Sequence, residues 1–146
     1  WLSRNSNKKS TLKSWFASLG EQIVEVRVEG ETRYLLAEHE DELAATRPSR
    51  ATHLLGAFDQ FVLGPGTKDT HMLAHEHRPL VSKAAGWIAP VLTRGGRITG
   101  VWEMDDGNLV VTPFPGEQAP PSQVLEDAAA RLTAVHGSVK VTPRVD

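Results

Sequence analysis

The sequence predicts an α+β protein in two pieces: a helix plus β-hairpin unit over residues 1–48, then an antiparallel β-barrel-like subdomain with a C-terminal helix over residues 49–146. Three observations carry this. Leu12, Trp15, Phe16 and Leu19 recur at the i, i+3, i+4, i+7 spacing of one buried helical stripe. Short β-rich runs separated by glycine turns dominate the second half. Between the pieces, Arg47-Pro48-Ser49-Arg50 reads as a linker, because the residue before a proline is pushed out of the helical region.

In chain order, Asn5, Ser6 and Asn7 favour a turn, Ser10 is placed to cap the first helix, and Gly20 to stop it. Ser10, Lys13, Ser14, Ala17 and Ser18 lie opposite the apolar stripe; these small, hydroxylated or cationic side chains suit a helix that lies close to a phosphate backbone and a groove. An ordinary solvated surface helix would look the same. Ile23, Val24, Val26 and Val28 form a strand, Glu29-Gly30-Glu31 a turn, and Tyr34 to Ala37 a returning strand. Helix, short strand, hairpin is the order of a winged-helix unit. Lys8, Lys9 and Lys13 at the helix start, with Arg27 and Arg33 on the hairpin, would then supply one positive surface for phosphates, reached from the helix start and hairpin flank because Glu29 and Glu31 make the tip acidic. His39 to Thr46 follows as a short acidic helix.

Leu54–Gly64 is the densest apolar stretch in the middle of the chain and reads as a strand buried on both faces. Asp59 inside it needs a partner if covered, so it either caps a neighbouring backbone or faces a polar cleft. Gly64-Pro65-Gly66 opens a polar loop running to Pro79. Its His71, His75 and His77, with Asp69 and Glu76 nearby, have the one metal-like spacing in the chain, yet no adjacent glutamate of the His-Glu-x-x-His kind; an exposed loop that happens to hold histidines is the reading taken, and no metal site is expected. Strands are predicted over Ile88–Thr93, Arg97–Met104 and Leu109–Phe114, with a bend at Gly100 that curls the sheet toward a barrel. Ser122 caps a helix carrying Val124, Leu125, Ala128, Ala129, Leu132 and Val135, and Val139 and Val141 are placed as an edge strand. Neither glycine turn sits between a strand and a helix, so neither is a phosphate loop, and no cofactor is expected.

Composition narrows the function classes. A formal charge of −2 excludes a polycation that holds nucleic acid by bulk charge and leaves room for a local basic face. With 0 Cys there is no disulfide, thiolate zinc site or cysteine nucleophile, and no apolar run nears the roughly 20 residues of a membrane span, so a cytoplasmic protein is expected. Trp1-Leu2 at a chain start without Met reads as a fragment of a longer protein.

Several segments together carry a resemblance: Trp1-Leu2, Ser18-Leu19-Gly20, Tyr34-Leu35-Leu36, Leu54-Leu55-Gly56-Ala57-Phe58-Asp59, Leu63-Gly64, Gly86-Trp87-Ile88-Ala89-Pro90-Val91 and Gly96-Arg97-Ile98-Thr99-Gly100-Val101-Trp102. From Trp1 to about Phe114 the chain resembles the C-terminal half of the bacterial AlkZ-like winged-helix DNA-binding family. The resemblance implies tandem winged-helix units ending in a β-barrel-like subdomain, double-stranded DNA as partner, and contact with upstream winged-helix domains of the parent chain. Characterised members resemble glycosylases that unhook alkylated or crosslinked bases through a Gln-x-Gln or Gln-x-Asp motif. Here Gln22, Gln60, Gln118 and Gln123 are each without Gln or Asp two positions on, and the family places the motif upstream of the matched region, so no catalytic residue is carried over. Three functions stay open: a DNA-binding module, part of a glycosylase, and a packing or dimerisation scaffold.

Overall fold

A computed structural model describes residues 7–106, 108–136 and 143–145. The chain divides between Pro48 and Ser49 into two compact units.

The first unit begins with helix α1, Lys9–Leu19. Ser10 is not its cap: Lys8 occupies that position in an extended conformation, with no side-chain cap bond, and the Leu12 amide donates to the Lys8 carbonyl at 3.2 Å. Gly20, at φ 50°, ends the helix and leads into a 3-10 turn, Gly20–Gln22. Strands β1 (Ile23–Val28) and β2 (Glu31–Leu36) pair antiparallel, and the residues between them, Glu29 and Gly30, both have positive φ (49° and 84°), as a two-residue hairpin turn requires. A 3-10 turn, Ala37–His39, leads into α2, Glu40–Ala45.

The second unit is a five-stranded sheet in the order β3-β4-β5-β6-β7: Thr52–Leu55, Val91–Arg94, Arg97–Asp105, Asn108–Pro113 and Pro143–Val145. The first four pair antiparallel, and β7 runs parallel to β6. The sheet is open, with β3 and β7 at its two ends, so the expected barrel-like closure does not form. Helix α5, Ser122–His136, packs against both β3 and β7. Val139 and Val141, predicted as the edge strand, lie outside the described residues.

Leu54–Gly64 is not one strand. After β3 the chain turns through Gly56–Asp59, with Phe58 at φ 58°, and Asp59 starts the short helix α3, Gln60–Leu63. The segment after it is not a plain polar loop either: Met72 and Leu73 are buried, and the Ile98 amide donates to the Met72 carbonyl at 2.8 Å. A 3-10 turn at His75–His77, helix α4 (Arg78–Val81) and another 3-10 turn at Ala84–Gly86 bring the chain to β4. The strand expected from Ile88 is shorter, beginning at Val91 after Pro90; Ile88 makes an isolated bridge with Ser82, and the exposed ring of Trp87 meets that of Phe58 edge-on at 5.0 Å.

Alternation along the strands sends apolar side chains to both faces of the sheet. On one face Leu54, Leu92, Leu109 and Val111 meet Leu125, Ala128 and Ala129 of α5. On the other, Val91 and Ile98 meet Val62, Met72, Leu73, Val81 and Ile88 of the long excursion between β3 and β4. The bend expected near Gly100 is a bulge: Leu92 faces Gly100 while Thr93 faces Ile98, leaving Thr99 as the extra residue of β5, its buried hydroxyl without a hydrogen-bond partner. Gly100 is required there, since a Cβ would come within 2.6 Å of the Thr112 carbonyl oxygen and 3.1 Å of Pro113 Cα. Gly100→Ala should therefore destabilise the protein by about 1–3 kcal/mol, the usual range for forcing an extra group into packed surroundings, read as a lowered urea midpoint at unchanged slope.

Candidate nucleic-acid interface

Helical spacing places Lys9 with Lys13 and Ser10 with Ser14 along α1, Lys8 precedes the helix in an extended conformation, and all five side chains are exposed. No acidic residue occurs in α1; the acids of this unit lie from Glu21 onward and concentrate in α2. The opposite stripe is only partly covered. Leu12 and Leu19 are half-buried, Trp15 is 49 % exposed and Phe16 45 %, and the Phe16 ring meets Tyr34 of β2 edge-on at 5.1 Å.

The hairpin register separates its two arginines. Arg27 faces Thr32, and Arg33 faces Val26, so the arginines project to opposite faces of the ribbon, and a single phosphate surface can include one of them. Each is already held locally: Arg27 Nη2 donates to the Gly30 carbonyl at 3.0 Å, while Arg33 pairs with Glu31 and donates to the Thr32 carbonyl. Arg27 shares its face with Tyr34, the residue that α1 touches through Phe16 of its apolar stripe.

In the second unit, the Oδ1 atom of Asp59 accepts the Phe61 amide at 2.8 Å. This N-cap accounts for a carboxylate in so apolar a stretch, and a structural hydrogen bond is the role the geometry assigns it. The three histidines diverge. His77 stacks on Phe114 with ring centres 4.5 Å apart, His75 lines a surface cavity, and His71 donates its backbone amide to Asp69 Oδ1 at 2.9 Å. Among the described residues no three histidine, cysteine or acidic side chains are grouped as a metal ion would require. The cavity beside His75 was not legible in the sequence, because its lining brings together Thr67 and Arg78, eleven positions apart.

A family model described as DNA glycosylase AlkZ-like matches residues 1–135. The chain belongs to the AlkZ-like DNA glycosylase family. It is 49 % identical over 145 residues to an "Interstrand DNA cross-link repair glycosylase" of Streptomyces sahachiroi, a match covering 99 % of this chain and 39 % of the relative. The solved structure of Streptomyces sahachiroi DNA glycosylase AlkZ superposes with a TM-score of 0.95 at 49 % identity, again over 100 % of this chain and 39 % of that one. The chain thus spans about two-fifths of the length of the curated AlkZ-like relative it matches. Among the described residues no helix is long and apolar enough to cross a membrane.

Replacing Asp59 separates a cap from a cleft residue. Asp59→Ala should cost about 1 kcal/mol of stability, and Asp59→Asn, which keeps an acceptor oxygen, only a few tenths, as measured by urea denaturation.

Proposed function

We propose that this chain is the DNA-holding part of an interstrand-crosslink repair glycosylase, with residues 1–48 forming a winged-helix unit whose α1 presents Lys8, Lys9, Ser10, Lys13 and Ser14 to the phosphates of double-stranded DNA. The observation that carries the reading is the 49 % identity to the Streptomyces sahachiroi crosslink-repair glycosylase along 99 % of this chain. The cationic, acid-free sequence of α1 supports the contact assignment. Catalysis is assigned to the parent protein outside this chain, in keeping with the lack of a Gln-x-Gln or Gln-x-Asp here.

One observation favours a packing role for the apolar surface of the same unit. Among the described residues none of the first unit is fully buried, and Trp15, Phe16, Val28, Tyr34, Leu36 and Leu43 are all substantially exposed. Soluble domains seldom leave so many large apolar groups uncovered together. In this proposal the remaining winged-helix domains of the parent chain cover them while the lysines stay outward.

Duplex binding should be salt-sensitive, losing orders of magnitude in affinity between low and moderate salt if a handful of phosphates are engaged. Lys13→Gln should lower the slope of log affinity against log salt by about 1, and weaken binding about equally for all duplex sequences, in fluorescence anisotropy titrations. An unchanged slope would remove α1 from the interface. The full-length parent should release a modified base from crosslinked duplex while this chain alone releases none.

A further inference from the structure

The excursion between β3 and β4 contains a cavity of about 290 Å³ lined by Thr67, Lys68, Thr70, Leu73, His75 and Arg78. Its frame is tied by backbone hydrogen bonds. The Gly66 amide donates to the Val62 carbonyl, the Asp69 amide to Gly66, and the Leu73 amide to Asp69, while the fully buried Leu73 side chain anchors the floor in the core. Arg78 is half-buried, and its Nε donates to Thr67 Oγ1 at 3.3 Å across the cavity mouth. Among the described residues its two terminal nitrogens have no partner, and no ion pair involves either Arg78 or Lys68. No ion pair among the described residues ties either nearby carboxylate to a residue that lines the pocket. Asp69 directs Oδ1 to the His71 amide, and neither Asp69 nor Glu76 lines the cavity.

Arg78, Lys68, His75, Thr67 and Thr70 line one concavity with Leu73 and with no acidic residue among them, and their side chains carry the donor types that a tetrahedral oxyanion accepts from. We infer that this cavity binds a phosphate group, either a phosphodiester of a DNA strand or the terminal phosphate of a nucleotide. The Arg78 terminal nitrogens would hold two of its oxygens and Lys68 a third, with the threonine hydroxyls and His75 fixing its orientation. The inference is independent of α1 as a DNA-facing helix, since the two features lie in different units.

Nitrogen-15 NMR titration of the whole chain with inorganic phosphate, against sodium chloride at matched ionic strength, is the test. Phosphate should shift the amides of Thr67, Lys68 and Thr70 saturably, and chloride should not. Arg78→Gln should weaken the effect by about tenfold, the loss expected for a charge-assisted hydrogen bond. Lys68→Gln, at an exposed position that supports no fold contact, should weaken it several-fold and keeps the test valid if Arg78→Gln unfolds the loop. The source follows from two further ligands: a 5′-hydroxyl-ended duplex that moves the same amides assigns a phosphodiester, and a nucleoside monophosphate that does so where the duplex does not assigns a terminal phosphate. No localised shift with inorganic phosphate, or shifts unaltered in both variants, would overturn the site while leaving duplex binding through α1 untouched.

Discussion

A β-sheet with apolar side chains on both faces must be covered twice, and that requirement shapes the whole of Ser49–Asp146. Leu54 and Leu55 are adjacent in β3 and point to opposite sides, as Leu92 and Val91 do in β4. One cover is continuous and late in the chain: α5, laid across the sheet with Leu125, Ala128 and Ala129 inward. The other is assembled from short pieces, α3, the Met72-Leu73 segment and α4, none of which would hold its conformation alone. Their stability comes from the core they contribute to, so a residue fixed in those pieces is fixed by the sheet beneath it. This is why the cavity around Arg78 has a defined shape although it is made of loops and single helical turns.

The first unit follows the opposite logic. Its hairpin and helix meet through contacts such as Phe16 against Tyr34, but among the described residues nothing in it is withdrawn fully from water. A helix of eleven residues and a two-stranded ribbon are each marginal in isolation. The function proposed above would give each set a partner, sibling domains for the exposed apolar groups and a polyanion for the lysines.

Periodicity made α1, the hairpin and α5 legible, because each has a strong repeat and a glycine or polar residue at its boundary. It failed in Leu54–Gly64, where hydrophobic density is the same for β3 as for α3. The dividing signal was Asp59: its expected role as a backbone cap holds, but a strong helix-capping residue also marks the start of a new helix, which the single-strand reading left out. The barrel was over-read from Gly100: a bulge bends a sheet, but closure also needs the two end strands to pair, and here β3 and β7 both lie against α5. In the first unit, the placing of Lys9 and Lys13 along α1 followed from helical spacing alone. The division of Arg27 from Arg33 required the strand register, and the meeting of Thr67 with Arg78 required the tertiary fold.

Phe58 has a consequence of its own. A bulky residue held in the left-handed region costs about 1–3 kcal/mol, and edge-to-face contact with Trp87 returns about 0.5–1.5 kcal/mol of it. The two rings sit at the departure and the return of the excursion between β3 and β4, so they act as a clasp on a long detour of the backbone. Releasing that clasp would loosen both ends of the detour together, while Val62, Met72, Leu73 and Val81 keep its middle seated on the sheet.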